Sequence, residues 1–337
     1  GRTGAGCAPA SDAITVDAPA VARPLSSAMI DIRVPPHSHI IDVRGIDYHV
    51  LEWGDSTAPA LVLLHGWMDV AASFQFLVDA LAGRWRVIAP DWQGFGRTAW
   101  RSGGYWFQDY VADLDFLLRA LVPGERANLV GHSLGANVAM IYAGVRPAHV
   151  RSVVALDGFG IPAEDESAAP GKLAAWLDAL AHPPTLAPYP RLAAVADRLQ
   201  RNNPRLPRDK ADFLAGEWAE ALPDGSARLR ADPRHKLPFP TVYRMEEIEA
   251  IWGEIRAPVL WVAAAGSPIP RWLAGGDATP GAAEAEVARR MQHVPQAKLV
   301  TVADAGHMLH HDQPEAVARI VEEFVGGEPR EDVRETG

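Results

Sequence analysis

The stretch Ala127-Asn128-Leu129-Val130-Gly131-His132-Ser133-Leu134-Gly135-Ala136-Asn137 constrains this chain more than any other. An apolar run leads into Gly-x-Ser-x-Gly, and Val138-Ala139-Met140-Ile141-Tyr142-Ala143 follows as a buried helix. Strand, tight turn and helix in that order hold a serine hydroxyl above a sheet edge in a strained backbone conformation. Gly131 and Gly135 flank the serine because a side chain at either would collide with the neighbouring strand and helix. So short a pattern also arises by chance in ordinary turns, and its meaning depends on what surrounds it.

What surrounds it is a regular alternation. Residues 40–44 and 48–53, joined through Gly45, form an antiparallel hairpin. Runs at Ala60–Leu64, Arg86–Pro90, Val150–Leu156, 258–262 and Lys298–Val302 are the short, mostly apolar strands of a sheet covered on both faces. Helices are expected at 74–81, Phe107–Leu121, 283–293 and 313–325. Strands alternating with helices give an α/β fold with a mostly parallel, doubly wound sheet. Residues 160–257 break the rhythm with helical pieces at 172–180, 191–201 and 210–221, Pro-rich joints and no convincing strand. They read as a helical cap inserted between the sixth and seventh strands. The core is then 31–159 and 258–327, with a flexible leader at 1–30 and a flexible tail at 328–337.

Composition excludes several classes. A formal charge of -10 does not suit a nucleic-acid or anionic-membrane surface. The single cysteine, Cys7, leaves no internal disulfide and no Cys-based metal site. No apolar run approaches the roughly 20 residues of a membrane span, and a cytoplasmic location is the expectation. No metal or organic cofactor is implied, since the sequence shows neither ligand clusters nor a Gly-rich phosphate loop.

Four groups of residues collect at the carboxyl ends of the strands, where parallel sheets place ligands. They are His65-Gly66-Trp67-Met68-Asp69, Asp91-Trp92-Gln93-Gly94-Phe95-Gly96-Arg97, the Ser133 turn, and Ala305-Gly306-His307 followed by Asp312-Gln313-Pro314-Glu315. This set, in this order, resembles the α/β-hydrolase superfamily from about residue 39 to 326. The resemblance implies Ser133 as nucleophile and His307 as its base, since a free serine hydroxyl is a poor nucleophile until an imidazole takes its proton. It leaves His132 pointing away from the turn, and His65 and Asp91 as structural residues. It also implies an oxyanion hole made by the backbone N–H groups of Trp67 and Leu134.

The acid departs from the commonest family pattern. Its usual position, after the strand that leaves the cap, is occupied by Ser267, which cannot stabilise an imidazolium as a carboxylate does. One strand earlier, Asp157 ends Val154-Ala155-Leu156, and some branches of the superfamily place their acid there. Asp157 is therefore the expected acid, with Asp277 and Asp304 in reserve. The substrate pocket is expected to include Met68, Trp92 and Phe159. Eleven tryptophans suit either an apolar, aromatic cavity or the seam between cap and core.

Three functions compete. A serine hydrolase would cleave a carboxylic ester or related acyl compound through an acyl-enzyme, and a carbon–carbon bond hydrolase would use the same residues. A cofactor-free dioxygenase of the quinolone-cleaving kind would use the His/acid pair to deprotonate an aromatic substrate. A ligand receptor on the same fold would need none of this chemistry. The expected partner is a small apolar or aromatic acyl substrate, and the oligomeric state is left open.

Overall fold

The computed structural model describes Val16–Asp17, residues 30–276 and residues 279–327. Leader, tail and Asp277 otherwise lie outside the described residues. We number the core strands β1 (His37–Val43), β2 (Ile46–Trp53), β3 (Ala60–Leu64), β4 (Arg86–Pro90), β5 (Ala127–His132), β6 (Val150–Leu156), β7 (Val259–Ala264) and β8 (Lys298–Val302). Their order across the sheet is β1-β2-β4-β3-β5-β6-β7-β8, with Val16–Asp17 pairing antiparallel to β1 at the edge. The β1–β2 and β2–β4 pairs are antiparallel, and every pair from β4 to β8 is parallel.

The strands are apolar on both sides because both faces are covered. In β3, Ala60, Val62 and Leu64 join one core and Leu61 and Leu63 the other. The first core is closed by helices α2 (Phe107–Leu121), α3 (Leu134–Val145) and α7 (Met245–Gly253). The second is closed by α1 (Gln75–Ala80), α10 (Leu309–Asp312) and α11 (Pro314–Val325). The helix expected at 74–81 begins as a single 3-10 turn over Ala71–Phe74.

The cap carries α4 (Ala169–Ala181), α5 (Leu192–Asn202) and α6 (Arg208–Trp218). It is not wholly helical: Ala219–Ala221 and Ala227–Leu229 pair as a short antiparallel hairpin. The expected helix 210–221 therefore ends at Trp218, where Ala219 takes extended backbone. The cap is sewn to the loop after β4, where Gly96 donates its N–H to the Arg230 carbonyl (2.8 Å) and Arg97 pairs with Glu217 (2.9 Å). After the cap the chain returns through β7, α8 (Ile269–Leu273) and α9 (Ala282–Met291).

Candidate active site

Ser133 sits between β5 and α3 at φ 52° and ψ −111°. Its N–H donates to the Leu156 carbonyl (3.0 Å), and its own carbonyl accepts from Asn137 (3.1 Å), so both adjoining elements hold the turn. The flanking glycines are forced by contact. A Cβ on Gly135 would lie 2.0 Å from the Leu64 carbonyl oxygen, and one on Gly131 2.4 Å from the backbone nitrogen of Ala136. Among the described residues, five non-glycine residues have positive φ; Met68, Ser133 and Asp157 are three of them. Backbone strain concentrates where the candidate chemistry is.

The structure brings Ser133, His307 and Asp157 into one hydrogen-bonded line. His307 Nε2 lies 3.1 Å from Ser133 Oγ, and His307 Nδ1 lies 2.7 Å from Asp157 Oδ2. An ionised carboxylate only accepts, so Nδ1 carries the ring proton and Nε2 turns a lone pair to the serine hydroxyl. The Asp157 side chain is fully buried, whereas the His307 ring is 30% exposed. Asp304 is exposed, and its backbone carbonyl accepts from Gln313 (3.3 Å).

Ser267, in the position where the family usually has its acid, donates its hydroxyl to Asp157 Oδ2 and accepts from the Ile269 N–H (3.1 Å). Three further residues escaped the sequence reading. Asp312 receives the Gly306 N–H (2.8 Å) and the Asn203 amide (2.6 Å), tying the His307 loop to the cap. Asn137 receives the Gly160 N–H (2.8 Å). Arg290 is buried and donates to the carbonyls of Phe159 (2.7 Å) and Ile161 (3.2 Å). The available signals were Asp312 within the Gly-His-x-x-x-x-Asp pattern and Asn137 two residues past the second glycine of the turn; nothing near Arg290 in sequence points to Phe159.

The loop after β3 lies against the serine, since a Cβ on Gly66 would be 3.3 Å from the Ser133 Cβ. His65 braces this loop, with Nδ1 2.8 Å from the Gly66 carbonyl and Nε2 accepting the Trp92 N–H (2.8 Å). Burial lowers its pKa to about 4, so the ring is neutral, as that acceptor role requires. Leu134 opens α3, where first-turn amides have no intrahelical acceptor. Asp91 accepts from the amides of Ala71 (2.7 Å) and Arg97 (2.9 Å) and meets His49 Nδ1 (2.7 Å). Burial pushes its pKa up, but His49, His65 and the Arg97 amide outweigh that and hold it at about 2.

Trp92 and Phe159, expected in the substrate pocket, do not line the cavity described below. Trp92 is fully buried, donating its indole N–H to the His65 carbonyl (3.0 Å), and Phe159 is fully buried edge-on against Trp261. Both support the site from behind, because backbone anchors next to each ring draw it into the core. Met68 instead lines a cavity of about 250 Å³ with Trp67, Val195, Leu199, Trp218 and Leu229, joined by Arg198, Asn202 and Lys236. Trp67 is 53% exposed.

The model of the alpha/beta hydrolase fold matches residues 59–314. A serine hydrolase-like protein of Danio rerio is 40% identical over 115 residues, 33% of this chain and 35% of that protein. The chain thus spans about a third of that relative's length. The 2-(acetamidomethylene)succinate hydrolase of Mesorhizobium japonicum is 28% identical over 290 residues, covering 86% of this chain and 95% of that enzyme. A thioesterase domain from the curacin biosynthetic pathway superposes with a TM-score of 0.74 at 24% identity, over 85% of this chain and 99% of that domain, a likeness of fold. No helix among the described residues is long and apolar enough to cross a membrane. With three-quarters of its length inside the family model and the strand order, turn and loops described above, the chain belongs to the α/β-hydrolase-fold family.

Proposed function

We propose that this hydrolase cleaves a carboxylic ester or a related acyl compound through an acyl-enzyme on Ser133. The observation that carries the reading is the unbroken line from Ser133 Oγ to His307 to the buried Asp157 carboxylate, at 3.1 and 2.7 Å. As Oγ attacks the acyl carbon, His307 Nε2 takes its proton, and Asp157 stabilises the imidazolium. The charge that develops on the carbonyl oxygen is met by the N–H groups of Trp67 and Leu134. His307 then returns the proton to the leaving group, and the same base activates water to release the acid. Asp157 is the orienting acid in this scheme, a role supported by its burial and by its contact with Nδ1.

The apolar body of the acyl group packs on Trp67, Met68, Leu199 and Trp218 in the cavity between the loop after β3 and the cap. Arg198 and Lys236 line the same cavity, and none of its lining residues is acidic. That suits a substrate carrying a carboxylate away from the scissile bond, and the relative from Mesorhizobium japonicum is named for a succinate.

Hydrolysis of short and medium p-nitrophenyl esters by the wild-type protein and by Ser133→Ala tests the reading. Turnover that disappears in the variant is the expected result. Turnover that survives it removes the acyl-enzyme, and oxygen consumption with a 3-hydroxy-4-quinolone would transfer the His307–Asp157 pair to dioxygenase chemistry.

A further inference from the structure

We infer that Asp69, His132 and His310 form a site for one divalent transition-metal ion of the Zn²⁺ type, directly beneath the nucleophile turn. The three come from separate segments: the loop after β3, the end of β5 and α10. Each offers a ligand atom lying within 4.8 Å of those of the other two. All three are buried, at 3%, 2% and 0% exposure.

The cluster stands out because four of its side-chain polar atoms have no hydrogen-bond partner. Asp69 Oδ2, His132 Nδ1 and both ring nitrogens of His310 are buried without a hydrogen bond. So many orphaned groups in one place call for an occupant. The remaining atoms, by contrast, are anchored. Asp69 Oδ1 accepts from the Val70 N–H (2.9 Å), the Trp218 indole (3.1 Å) and the Ser73 hydroxyl. His132 Nε2 donates to the His307 carbonyl (2.8 Å), which leaves Nδ1 with a bare lone pair. Metal-binding histidines are commonly oriented in this way, with the second ring N–H given to a backbone carbonyl.

Two imidazoles and one carboxylate suit Zn²⁺ or its neighbours, not Mg²⁺ or Ca²⁺, which take mainly oxygen. Zinc bonds of about 2.0–2.2 Å put tetrahedral ligand atoms roughly 3.4 Å apart. The cluster's ligand atoms, within 4.8 Å of one another, would draw in to that spacing on binding the ion. Phe74 covers His310, with ring centroids 5.1 Å apart, and Trp218 of the cap lies over Asp69. The three ligands are buried, which suits a structural ion, with a water completing the tetrahedron. The ion would fasten the loop after β3, the Ser133 turn and the His307 loop to one point.

Full-length protein stripped of metal would be incubated with Zn²⁺, desalted, assayed for zinc by mass spectrometry and melted with and without the ion. One retained equivalent and a rise in Tm of several degrees are expected, because an ion that binds only the folded state stabilises it. Asp69→Asn keeps the Oδ1 acceptor but puts an amide N–H₂ in place of Oδ2, and should abolish retention, as should His310→Gln. His307→Ala and the exposed His182→Asn should retain the ion. The site is overturned if the wild type retains no zinc, which would mark the cluster as a water site. It is equally overturned if a foldable Asp69→Asn or His310→Gln variant still retains the equivalent. Loss in His307→Ala would move the ion to the catalytic line. Should neither ligand variant fold, Co²⁺ in the wild type decides: a tetrahedral d–d spectrum supports the site, and its absence refutes it.

Discussion

Ser267→Ala removes one hydroxyl and should change turnover without touching the substrate. The Ser267 hydroxyl donates to Asp157 Oδ2, the same oxygen that faces His307, while Asp157 Oδ1 is buried without a partner. In the variant His307 would be the carboxylate's sole side-chain partner among the described residues, and the Ile269 N–H would lose its acceptor. A hydrogen bond to a charged group contributes about 1.5–3 kcal/mol, which bounds the loss at roughly 10- to 160-fold in kcat. Two effects oppose each other. Losing a donor makes the carboxylate more basic and favours the imidazolium, so the acidic limb of the pH profile should move up. Losing a tether lets the acid swing, so kcat should fall while KM stays near its wild-type value. Steady-state kinetics with p-nitrophenyl butyrate across pH reads both, and Ser267→Thr, which keeps the hydroxyl, should restore the profile. A Ser267→Ala enzyme with unchanged kcat and an unchanged pH profile would refute the reasoning, since the hydroxyl would then hold only the start of α8.

Asp157→Asn should keep the fold and lower kcat by roughly 10⁴-fold, because the ring loses the acceptor that fixes its tautomer; near-wild-type turnover would assign the role elsewhere. Arg198→Gln and Lys236→Gln should each raise KM for a p-nitrophenyl half-ester of glutaric acid by about tenfold, with plain p-nitrophenyl butyrate little affected. Equal changes for both substrates would remove the cations from recognition. Stability should fall with acid: burial holds His65 at about 4 and His235 at about 3. Unfolded histidine titrates near 6.5, so below that pH the unfolded chain binds protons that the folded chain refuses. At pH 5 this amounts to about 2 kcal/mol for each ring, lost between pH 6.5 and 5. Urea unfolding at pH 8 and pH 5 checks it, and equal stability at both would contradict the assignment of neutral buried rings.

The core was legible because its signals are local. Ala60–Leu64 and Val150–Leu156 announce themselves as apolar runs, and Phe107–Leu121 by its spacing, with the same bounds in the structure. The cap hairpin was not, since its strands are three residues each and the first continues a helical-looking run. Trp92 and Phe159 could not be placed from sequence, because an aromatic ring beside a loop may turn either way. What decides them is tertiary: the His65 carbonyl takes one and Trp261 packs the other. Asp69, His132 and His310 were invisible as a group for a related reason, being 63 and 178 residues apart along the chain and joined only by folding. Ser267 carries no carboxylate, which its sequence position makes plain, but its use as a donor to Asp157 required the two loops to be seen side by side.

The cap begins three residues after Asp157, yet those residues are clamped from the core side. Asn137 holds the Gly160 N–H, and Arg290 grips the carbonyls of Phe159 and Ile161. The junction therefore works as a firebreak on this side: a displacement of the segment beyond Ile161 meets the clamp before it meets the Asp157 carboxylate. A lineage with such a junction can remodel its lid on the Asp157 side, provided the Asn203–Asp312 tie to the His307 loop is carried along. The same junction marks Ile161 as the place to cut when lids are exchanged between members of the fold.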